Sequence, residues 1–404
     1  MKLIEVSKLI PYANNARTHS DSQILKLRSS LREFGFINPV LIDRNYNIAA
    51  GHGRVAAAKL EGITQVPCVF IDHFTPAQMK AYILADNKMA LDAGWDDELL
   101  AIELESLAEL GFDLGLTGFD EAELNALFET DEVHEDDFDV EEELKKPAIT
   151  KIGDIWLLGR HKLICGDCTK QETYTSLMGD TQANLVVTDP PYNVNYEGSA
   201  GKIQNDNMKD DKFYQFLYDA FLAMHSVMAN DSSIYVFHAD TEGLNFRRAF
   251  SEAGFYLSGT CIWKKQSLVL GRSPYQWQHE PCLYGWKKQG KHQWYSDRKQ
   301  TTIWEFDKPR KNGEHPTMKP IPLIAYPIAN STMTNSIVLD PFLGSGSTLI
   351  ACEQMDRVCF GIELDEKFCD VIVSRYIERL AGSEDVFMIR DGKKIPYNEV
   401  CNDV

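Results

Sequence analysis

The sequence predicts an α/β fold, with a doubly wound, mostly parallel sheet in the C-terminal two-thirds and a small α+β domain before it. Two observations support this prediction. Beyond residue 149, short β-branched segments alternate with segments of helical periodicity, which is the pattern of parallel βαβ units. Before residue 100, helical and strand-like segments mix without that alternation. We therefore expect two folded domains joined by a connector.

The elements follow in order along the chain. Residues 23–34 and 77–91 have helical spacing, NPVLID and NYNIAA predict a hairpin, and VPCVFI predicts a further strand. In the second domain, HKLIC, ANLVVT, SIYVF and SIVLD predict strands. Residues 213–228, 347–354 and 365–380 predict helices between or after them. The second domain therefore has the element order of a parallel sheet covered by helices.

The connector is distinguished by its charge. Residues 101–148 carry 17 acidic and 2 basic side chains, and nine acids fall within residues 131–143. A block of like charges repels itself, so it predicts a solvated, flexible linker that ends near Pro147. The predicted domain bounds are therefore 1–100, 101–148 and 149–404.

The overall composition excludes few partners. The net charge is −19, but residues 264–319 hold 12 basic and 5 acidic side chains, so nucleic acid remains a candidate partner. The sequence has no run of 18 apolar residues and no recognisable signal peptide, which predicts a cytoplasmic protein without a membrane span. The nine cysteines are scattered, and the pair Cys165 and Cys168 has no second pair at zinc-ribbon spacing, so we expect no metal site.

Two predicted strands end in segments suited to chemistry, since ligands of parallel sheets bind beyond the carboxyl ends of the strands. The strand ANLVVT ends in Asp189-Pro190-Pro191-Tyr192, where the prolines keep the chain extended and its carbonyls free. A carboxylate, a free carbonyl and an aromatic face suit a planar amino group. The alternative is a proline turn that only closes the strand.

The second segment is a glycine turn. The strand SIVLD leads into DPFLGSGST, which contains Asp340, Phe342, Gly344 and Gly346 and matches neither the dinucleotide fingerprint nor the P-loop. The next strand ends at Glu363, where an acid typically bonds the ribose of a nucleoside. A nucleoside without phosphates indicates S-adenosylmethionine. The alternative is a tight strand–helix turn with no ligand.

Together these motifs resemble the DNA amino-methyltransferases, which methylate adenine N6 or cytosine N4. The catalytic motif precedes the cofactor motif by about 150 residues, an order similar to the permuted beta class of that family. Gly166-Asp167-Cys168 resembles the family's element beside the cofactor adenine, and the segment HPTMKP (residues 315–320) resembles its element at the methionine end. The resemblance covers about residues 150–385 and implies the fold of the S-adenosylmethionine-dependent methyltransferases.

The resemblance also implies a role for each matching residue. Asp189 and the carbonyl of Pro190, next to Pro191, would accept hydrogen bonds from the target amino group, and Tyr192 would stack on a flipped base. S-adenosyl-L-methionine is the implied cofactor and double-stranded DNA the implied substrate. The implied cofactor contacts are Asp167 at the adenine, Glu363 at the ribose, Thr317, Lys319 and Asp340 at the methionine end, and Phe342, Gly344 and Gly346 in the turn.

Several alternatives stay open on the sequence. Carbon-5 cytosine chemistry needs a nucleophilic cysteine, usually in Pro-Cys, and neither Cys68 nor Cys282 stands where that family keeps it. Cytosine N4 enzymes of the resembled family usually have serine in place of Asp189, which favours adenine. A ParB-like nucleotide-binding or DNA-binding protein with a degenerate methyltransferase module is a rival of another class. The oligomeric state, monomer or dimer, and the recognition sequence are not determined.

Residues 263–319 are the predicted target-recognition segment, because five of the seven tryptophans interleave there with basic side chains. Basic groups bind phosphates and aromatic rings stack on bases, although some of these tryptophans would equally suit a core. The candidate DNA contacts are Lys264, Lys265, Arg272, Lys287, Lys288 and Lys291.

The N-terminal domain has one further motif. The turn Gly51-His52-Gly53-Arg54 resembles the ParB/sulfiredoxin-type fold, which implies a phosphate site, and hence a nucleotide, at a helix N-terminus. Nuclease, nucleotide-hydrolase and DNA-docking roles all stay open for it. The helix-turn-helix module of ParB proteins is not evident in residues 75–148, so we expect none there.

Overall fold

A computed structural model describes residues 1–13, 17–128, 132–194, 197–198, 201–202, 206–270, 274–307 and 318–402. The chain divides into two compact units, Met1–Thr130 and Asp131–Val404. Among the described helices, none is long and apolar enough to cross a membrane.

The N-terminal unit is built on a four-stranded sheet. Its described strands and α-helices are β1 (Lys2–Glu5), α1 (Asp21–Phe34), β2 (Val40–Ile42), β3 (Ile48–Ala50), α2 (His52–Leu60), β4 (Gln65–Phe70), α3 (Pro76–Asp92), α4 (Asp97–Glu109) and α5 (Glu121–Phe128). The strand order is β1-β4-β2-β3, with β2 and β3 antiparallel and β2 parallel to β4. Apolar residues of β2 and β4, such as Ile42 and Val66, are buried with Val55 of α2. The predicted hairpin, strand and helices of this unit are confirmed.

The C-terminal unit is built on an eleven-stranded sheet. Its described elements are α6 (Val140–Leu144), β5 (Ile155–Leu158), β6 (His161–Cys165), α7 (Gln171–Met178), β7 (Ala183–Thr188), β8 (Glu197–Gly198), β9 (Gly201–Lys202), α8 (Asp210–Val227), β10 (Met228–Phe237), α9 (Gly243–Glu252), β11 (Phe255–Val269), β12 (Trp277–Lys287), β13 (Ile303–Glu305), α10 (Ile321–Ser331), β14 (Ile337–Asp340), α11 (Ser347–Gln354), β15 (Val358–Glu363), α12 (Glu366–Leu380), β16 (Val386–Arg390), β17 (Lys393–Pro396) and α13 (Tyr397–Asn402).

The centre of this sheet is parallel and its flanks are largely antiparallel. The strand order is β13-β11-β12-β10-β7-β14-β15-β6-β5-β16-β17. The five central strands, β10, β7, β14, β15 and β6, run parallel to one another. On either side, β12 pairs antiparallel with β10 and β5 pairs antiparallel with β6. Because side chains alternate along β7, Leu185 and Val187 pack in one core and Val186 in another. Helices α10–α12 contribute to the first core and α7–α9 to the second, so the predicted doubly wound sheet is confirmed.

The acidic segment, residues 132–143, packs on the C-terminal unit. Phe138 and Val140 are buried against Val371 of α12, and α6 forms within the segment. The expectation of a solvated, flexible linker is therefore wrong for these residues. Two apolar side chains and the buried Arg375 guanidinium, which bonds Asp136, outweigh the repulsion between neighbouring acids. The division between the units falls before residue 131, not near residue 147.

Candidate functional site

The two motif segments meet at one edge of the central sheet. β7 and β14 are neighbours, with Leu185 paired to Val338 and Val186 to Leu339. Their parallel register brings the residues after each strand, Asp189 and the glycine turn, to the same edge. The structure therefore brings together two segments that lie about 150 residues apart in the sequence.

The proline-turn cluster comprises Asp189, Tyr192, Lys265, Glu280 and Lys319. The Tyr192 hydroxyl donates to Asp189 Oδ1 at 2.6 Å, and Lys319 Nζ donates to Asp189 Oδ2 at 2.5 Å. Lys319 Nζ also lies 3.0 Å from the Tyr192 hydroxyl and 5.3 Å from the centroid of its ring. One ammonium group thus holds both the carboxylate and the tyrosine that follow β7.

Glu280 of β12 completes this cluster, and the sequence analysis missed it. Its Oε2 accepts from the Tyr192 hydroxyl at 3.2 Å and lies 3.1 Å from Lys319 Nζ, while Oε1 pairs with Lys265. Burial raises the pKa of Glu280, but the charges of Lys319 and Lys265 outweigh burial and bring it to about 2. The signal that could have found Glu280 is an acid in a strand whose neighbouring strand carries lysines, Lys264 and Lys265.

Two further titratable groups of this cluster, Lys319 and Tyr192, respond to the neighbouring charges. Burial lowers the pKa of Lys319, but the neighbouring Asp189 and Glu280 outweigh it and raise that pKa above its ordinary value. Burial, together with Asp189 and Glu280, raises the pKa of Tyr192 well above its ordinary value. At neutral pH, therefore, the lysine is charged and the tyrosine is a hydroxyl donor.

The glycine-turn cluster comprises Asp167, Asp340, Gly344, Gly346 and Glu363. Asp340 is buried; its Oδ1 accepts from the Thr188 hydroxyl at 2.7 Å and its Oδ2 from the Thr348 hydroxyl at 2.6 Å. Burial raises the pKa of Asp340 to about 6, because these hydroxyl bonds offset the loss of water only in part. Since Thr188 precedes Asp189, Asp340 links the glycine turn to the proline turn.

Glu363 is held by main-chain donors alone. Its Oε2 accepts from Gly344 N at 2.8 Å and its Oε1 from Asp365 N at 2.9 Å. Burial raises the pKa of Glu363 to about 7, against the lowering effect of these two bonds. Gly344 has φ +56°, and no described residue other than its chain neighbours lies within 4 Å of a Cβ added to it. The turn beside Glu363 therefore opens on free space in which a ligand can approach the main chain.

Gly346, Asp167 and Phe342 lie at the same edge of the sheet as Asp340 and Glu363. Gly346, at φ +89°, is the N-cap of α11, and a Cβ there would lie 3.2 Å from Ile372 Cγ1. Asp167 follows β6, and its Oδ1 accepts from both the main-chain nitrogen and the hydroxyl of Thr169 at 2.8 Å. Phe342 is partly buried and donates its N–H to Asp340 Oδ1 at 3.1 Å. These residues fit a nucleoside whose hydroxyls face Glu363.

Lys319 and Thr317 are two of the residues expected at the methionine end of the cofactor. Lys319 does not point to the glycine turn: its ammonium lies with Asp189 and Glu280, so it belongs to the proline-turn cluster. Thr317 lies outside the described residues. The roles of the other cofactor residues stay predictions.

The structure does not bring the predicted DNA-contact lysines to one surface. β12 runs antiparallel to β10, so its start lies at the edge of Asp189 and its end, at Lys287, at the opposite edge. There Lys287 Nζ donates to Met228 O and Lys288 Nζ to Ser251 O, both at 2.6 Å, and Lys291 N donates to Asn230 O at 2.9 Å. A DNA surface shared by these lysines and Asp189 is therefore not formed.

The rest of the predicted recognition segment is divided between core and surface. Lys265 pairs with Glu280, while Lys264 is exposed beside Glu305. Trp263 and Trp304 are buried in the core, and Trp277 is exposed near the start of β12. Arg272 lies outside the described residues.

In the N-terminal unit, Gly51 is the N-cap of α2 with φ +102°. Tyr12 N donates to His52 Nε2 at 3.2 Å, and burial lowers the pKa of His52. A Cβ at Gly53 would lie 3.0 Å from His19 Cε1, and Arg54 Nη1 donates to Asn38 O at 2.8 Å. The turn is therefore well braced within its unit, and phosphate binding by it stays a prediction.

Three family models match the chain. The model described as DNA methylase, of the N6/N4 type, matches residues 183–374. The ParB N-terminal domain matches residues 1–87, and the ParB-methyltransferase HTH domain matches residues 98–152. The expectation that residues 75–148 contain no helix-turn-helix module is therefore wrong. Most of α4 and all of α5, which a short 3-10 helix (Leu114–Thr117) connects, fall in the matched range.

Known proteins are similar to each part. A ParB-like nuclease domain-containing protein of Escherichia coli (strain K12), YnaK, is 47% identical over 73 residues, 18% of this chain and 84% of that protein. The type II methyltransferase M.HpaI of Haemophilus parainfluenzae is 24% identical over 249 residues, 56% of this chain and 77% of that protein. The solved PvuII DNA methyltransferase, cytosine-N4-specific, aligns at 16% identity with a TM-score of 0.43, covering 55% of this chain and 93% of that one.

Proposed function

Because the chain belongs to the N6/N4 family of DNA methyltransferases and carries a ParB-type N-terminal domain, we propose that it transfers a methyl group from S-adenosylmethionine to adenine N6 in double-stranded DNA. The observation that carries this proposal is the proline-turn cluster. It presents a carboxylate, Asp189, beside the glycine turn, and Lys319 and Tyr192 fix its position.

When bound, S-adenosylmethionine supplies a methyl group on a positively charged sulfur. The protein has to orient an amino nitrogen of low basicity towards that methyl group. Each Asp189 oxygen already accepts one donor and retains lone pairs for the amino N–H groups. Asp189 is also the carboxylate placed to take the proton that the methylated nitrogen loses. The rate enhancement comes from positioning the reactants and from a hydrogen-bond acceptor whose orientation is fixed. No covalent intermediate on the protein is needed.

The other residues of the two clusters orient the reactants. Tyr192 is held through its hydroxyl by Asp189 and Glu280, so its ring has a fixed plane on which a flipped base stacks. Glu363 accepts from the ribose hydroxyls, and the open Gly344 lets the nucleoside approach the turn. Asp167 accepts from the cofactor adenine, and Asp340 keeps both turns in register.

Adenine is favoured over cytosine by the nature of the acceptor. In cytosine N4 enzymes of the resembled family, serine usually stands where this chain has Asp189. Here the acceptor is a carboxylate held in an ion pair with Lys319, a stronger acceptor than a hydroxyl. Methylation of cytosine N4 is the second candidate function. Identifying the methylated nucleoside distinguishes it from methylation of adenine N6.

The test is methyl transfer from labelled S-adenosylmethionine to DNA from a methylation-deficient host, followed by nucleoside analysis. We expect N6-methyladenine from the full chain and none from Asp189→Ala, while cofactor affinity stays within about twofold. The matched control is Asp180→Ala, an exposed aspartate at the opposite end of β7. N4-methylcytosine as the product would overturn the adenine assignment, and near-normal turnover by Asp189→Ala would overturn its role.

A further inference from the structure

The acidic segment contacts both halves of the proposed site. Asp136 binds Arg375 of α12 through two bonds, Nε to Oδ2 at 2.7 Å and Nη2 to Oδ1 at 2.9 Å. The Arg375 side chain is only 1% exposed, so Asp136 is the counter-charge of a buried cation. A buried charge of this kind holds its geometry only while its partner is present.

Arg375 in turn holds the glycine turn. Its third donor, Nη1, bonds Ser345 O at 2.9 Å, and Ser345 lies between Gly344 and Gly346. The main chain of the turn is therefore fixed on one side by Glu363, through Gly344 N, and on the other by Arg375. Glycines leave this turn free to deform, so its shape depends on such outside contacts.

The neighbouring residue, Glu135, reaches the other half. Its Oε1 accepts from Ile321 N at 2.8 Å, at the first residue of α10. Ile321 lies two residues beyond Lys319, the cation of the proline-turn cluster. Two consecutive acids of the segment thus reach the two halves of the site, Asp136 through Arg375 and Glu135 at the start of α10, two residues after Lys319.

We propose that Asp136 and Glu135 are positioning residues of the methyltransferase, through which the acidic segment fixes the cofactor turn and the start of α10. The inference rests on the proposed function for its consequence, which is tighter cofactor binding, but not for its geometry. Neither residue touches cofactor or substrate. The acids of this segment therefore include two that hold the site and others, such as Glu142, that pair on the surface.

The variants are Asp136→Asn, which keeps the size and removes the charge, and Glu135→Gln. The matched control is Glu142→Gln in the same segment, because Glu142 is exposed and pairs only with the exposed Lys145 on the surface. Calorimetric titration of the full chain with S-adenosylmethionine should show affinity roughly fivefold to tenfold weaker for Asp136→Asn, less than the ~10- to 150-fold for loss of a direct bond to a charged group, because Asp136 acts on the turn only through Arg375. At saturating cofactor, kcat should change less than about twofold, and Glu142→Gln should match the unaltered chain.

A second measurement needs no cofactor. Amide hydrogen exchange of the ligand-free full chain should become faster in peptides covering residues 344–350 for Asp136→Asn, and unchanged in peptides of β10. Faster exchange everywhere would indicate general destabilisation and overturn the proposal. So would unchanged exchange at the glycine turn, or unaltered cofactor affinity in a variant whose parent binds the cofactor. A parent chain that does not bind S-adenosylmethionine would instead overturn the proposed function.

Discussion

The two halves of the site hold their carboxylates by different means. In the proline-turn cluster, Asp189 and Glu280 are ion-paired with lysines, and the pKa of Glu280 is brought to about 2. In the glycine-turn cluster, the bonds that Asp340 and Glu363 accept from described residues come from neutral hydroxyl and amide groups, and burial raises their pKa values to about 6 and about 7.

The difference reflects what each half is proposed to bind. If the proline turn orients a neutral base, as proposed, its charges are balanced within the protein before any base arrives. If the glycine turn binds the cofactor, which carries its own positive charge and hydroxyl donors, its carboxylates need no cation from the protein. The carboxylates of the glycine-turn cluster would gain donors from a bound ligand. The charges of the proline-turn cluster are already balanced without one.

Replacing Lys319 should have the largest effect. In Lys319→Met, Asp189 and Glu280 lose the cation between them, and the carboxylates no longer have fixed positions. We expect kcat to fall roughly 100- to 1000-fold, the cost of losing one preorganised charge in a reaction site, with cofactor affinity nearly unchanged. Single-turnover methyl transfer measures this. Lys393→Met, at an exposed lysine of β17, the strand at the far edge of the sheet, is the control and should be fully active.

Replacing Glu363 should weaken cofactor binding and change kcat little, the reverse of the effect expected for Lys319. Glu363→Ala removes acceptors for the ribose, so affinity for S-adenosylmethionine should fall roughly 10- to 150-fold, with a small change in kcat at saturation. Calorimetry and initial rates measure the two quantities. Glu378→Ala, at an exposed glutamate near the end of α12, is the control. If Glu363→Ala lowered kcat without changing affinity, the division of labour between the halves would be wrong.

The two halves should also respond to pH in opposite directions. Glu363 has a folded-state pKa of about 7 against an ordinary value of 4.5, so the folded chain holds a proton that the unfolded chain releases. Its contribution to the free energy of unfolding therefore declines as pH rises from about 4.5 to 7. Glu280, with a folded pKa of about 2, contributes stability above about pH 4.5 that is lost as pH falls towards 2.

Thermal unfolding of the ligand-free chain between pH 3 and pH 8 measures both effects. In Glu363→Gln the dependence of Tm on pH between 5 and 7 should be flatter, and in Glu280→Gln the dependence below pH 4.5 should be flatter. The opposite result, a flatter dependence between pH 5 and 7 in Glu280→Gln and below pH 4.5 in Glu363→Gln, would contradict the difference proposed between the two clusters.

The smallest effect is expected at the opposite edge of the sheet. Each phosphate neutralised by a protein adds about 0.9 to the slope of log affinity against log salt. Because Lys288 and Lys291 lie at the end of β12 away from Asp189, Lys288→Ala with Lys291→Ala should leave that slope for duplex DNA unchanged. A slope reduced by about 2 would show that DNA reaches this edge after all.

The sequence predicted the parts of the site whose signals are local. Strands with β-branched residues end directly before Asp189 and at Asp340 and Glu363, so the position of each at the sheet edge followed from the pattern. Glu280 could not be found in this way, because its partners Lys319 and Lys265 come from other segments. The sequence could not show at which edge the lysines of residues 287–291 lie, because only the register of β12 decides it.

The acidic segment shows the limit of charge counting. Nine acids within residues 131–143 predicted repulsion, yet the counter-charge Arg375 stands 239 residues beyond Asp136. A local pattern contains no information about so distant a partner. The apolar Phe138 and Val140 were the available sign that the segment packs.

The strand order β7-β14-β15-β6 has a consequence for synthesis of the chain. β6 and β7 leave the ribosome long before β14 and β15, the two strands that lie between them. Until residue 363 has been made, each keeps an open edge toward the gap, and such edges are where sheets pair with other chains. Closing the gap requires contacts distant in sequence, which form slowly. The same late step creates the glycine turn, so a nascent chain able to bind the cofactor is one whose sheet has already closed.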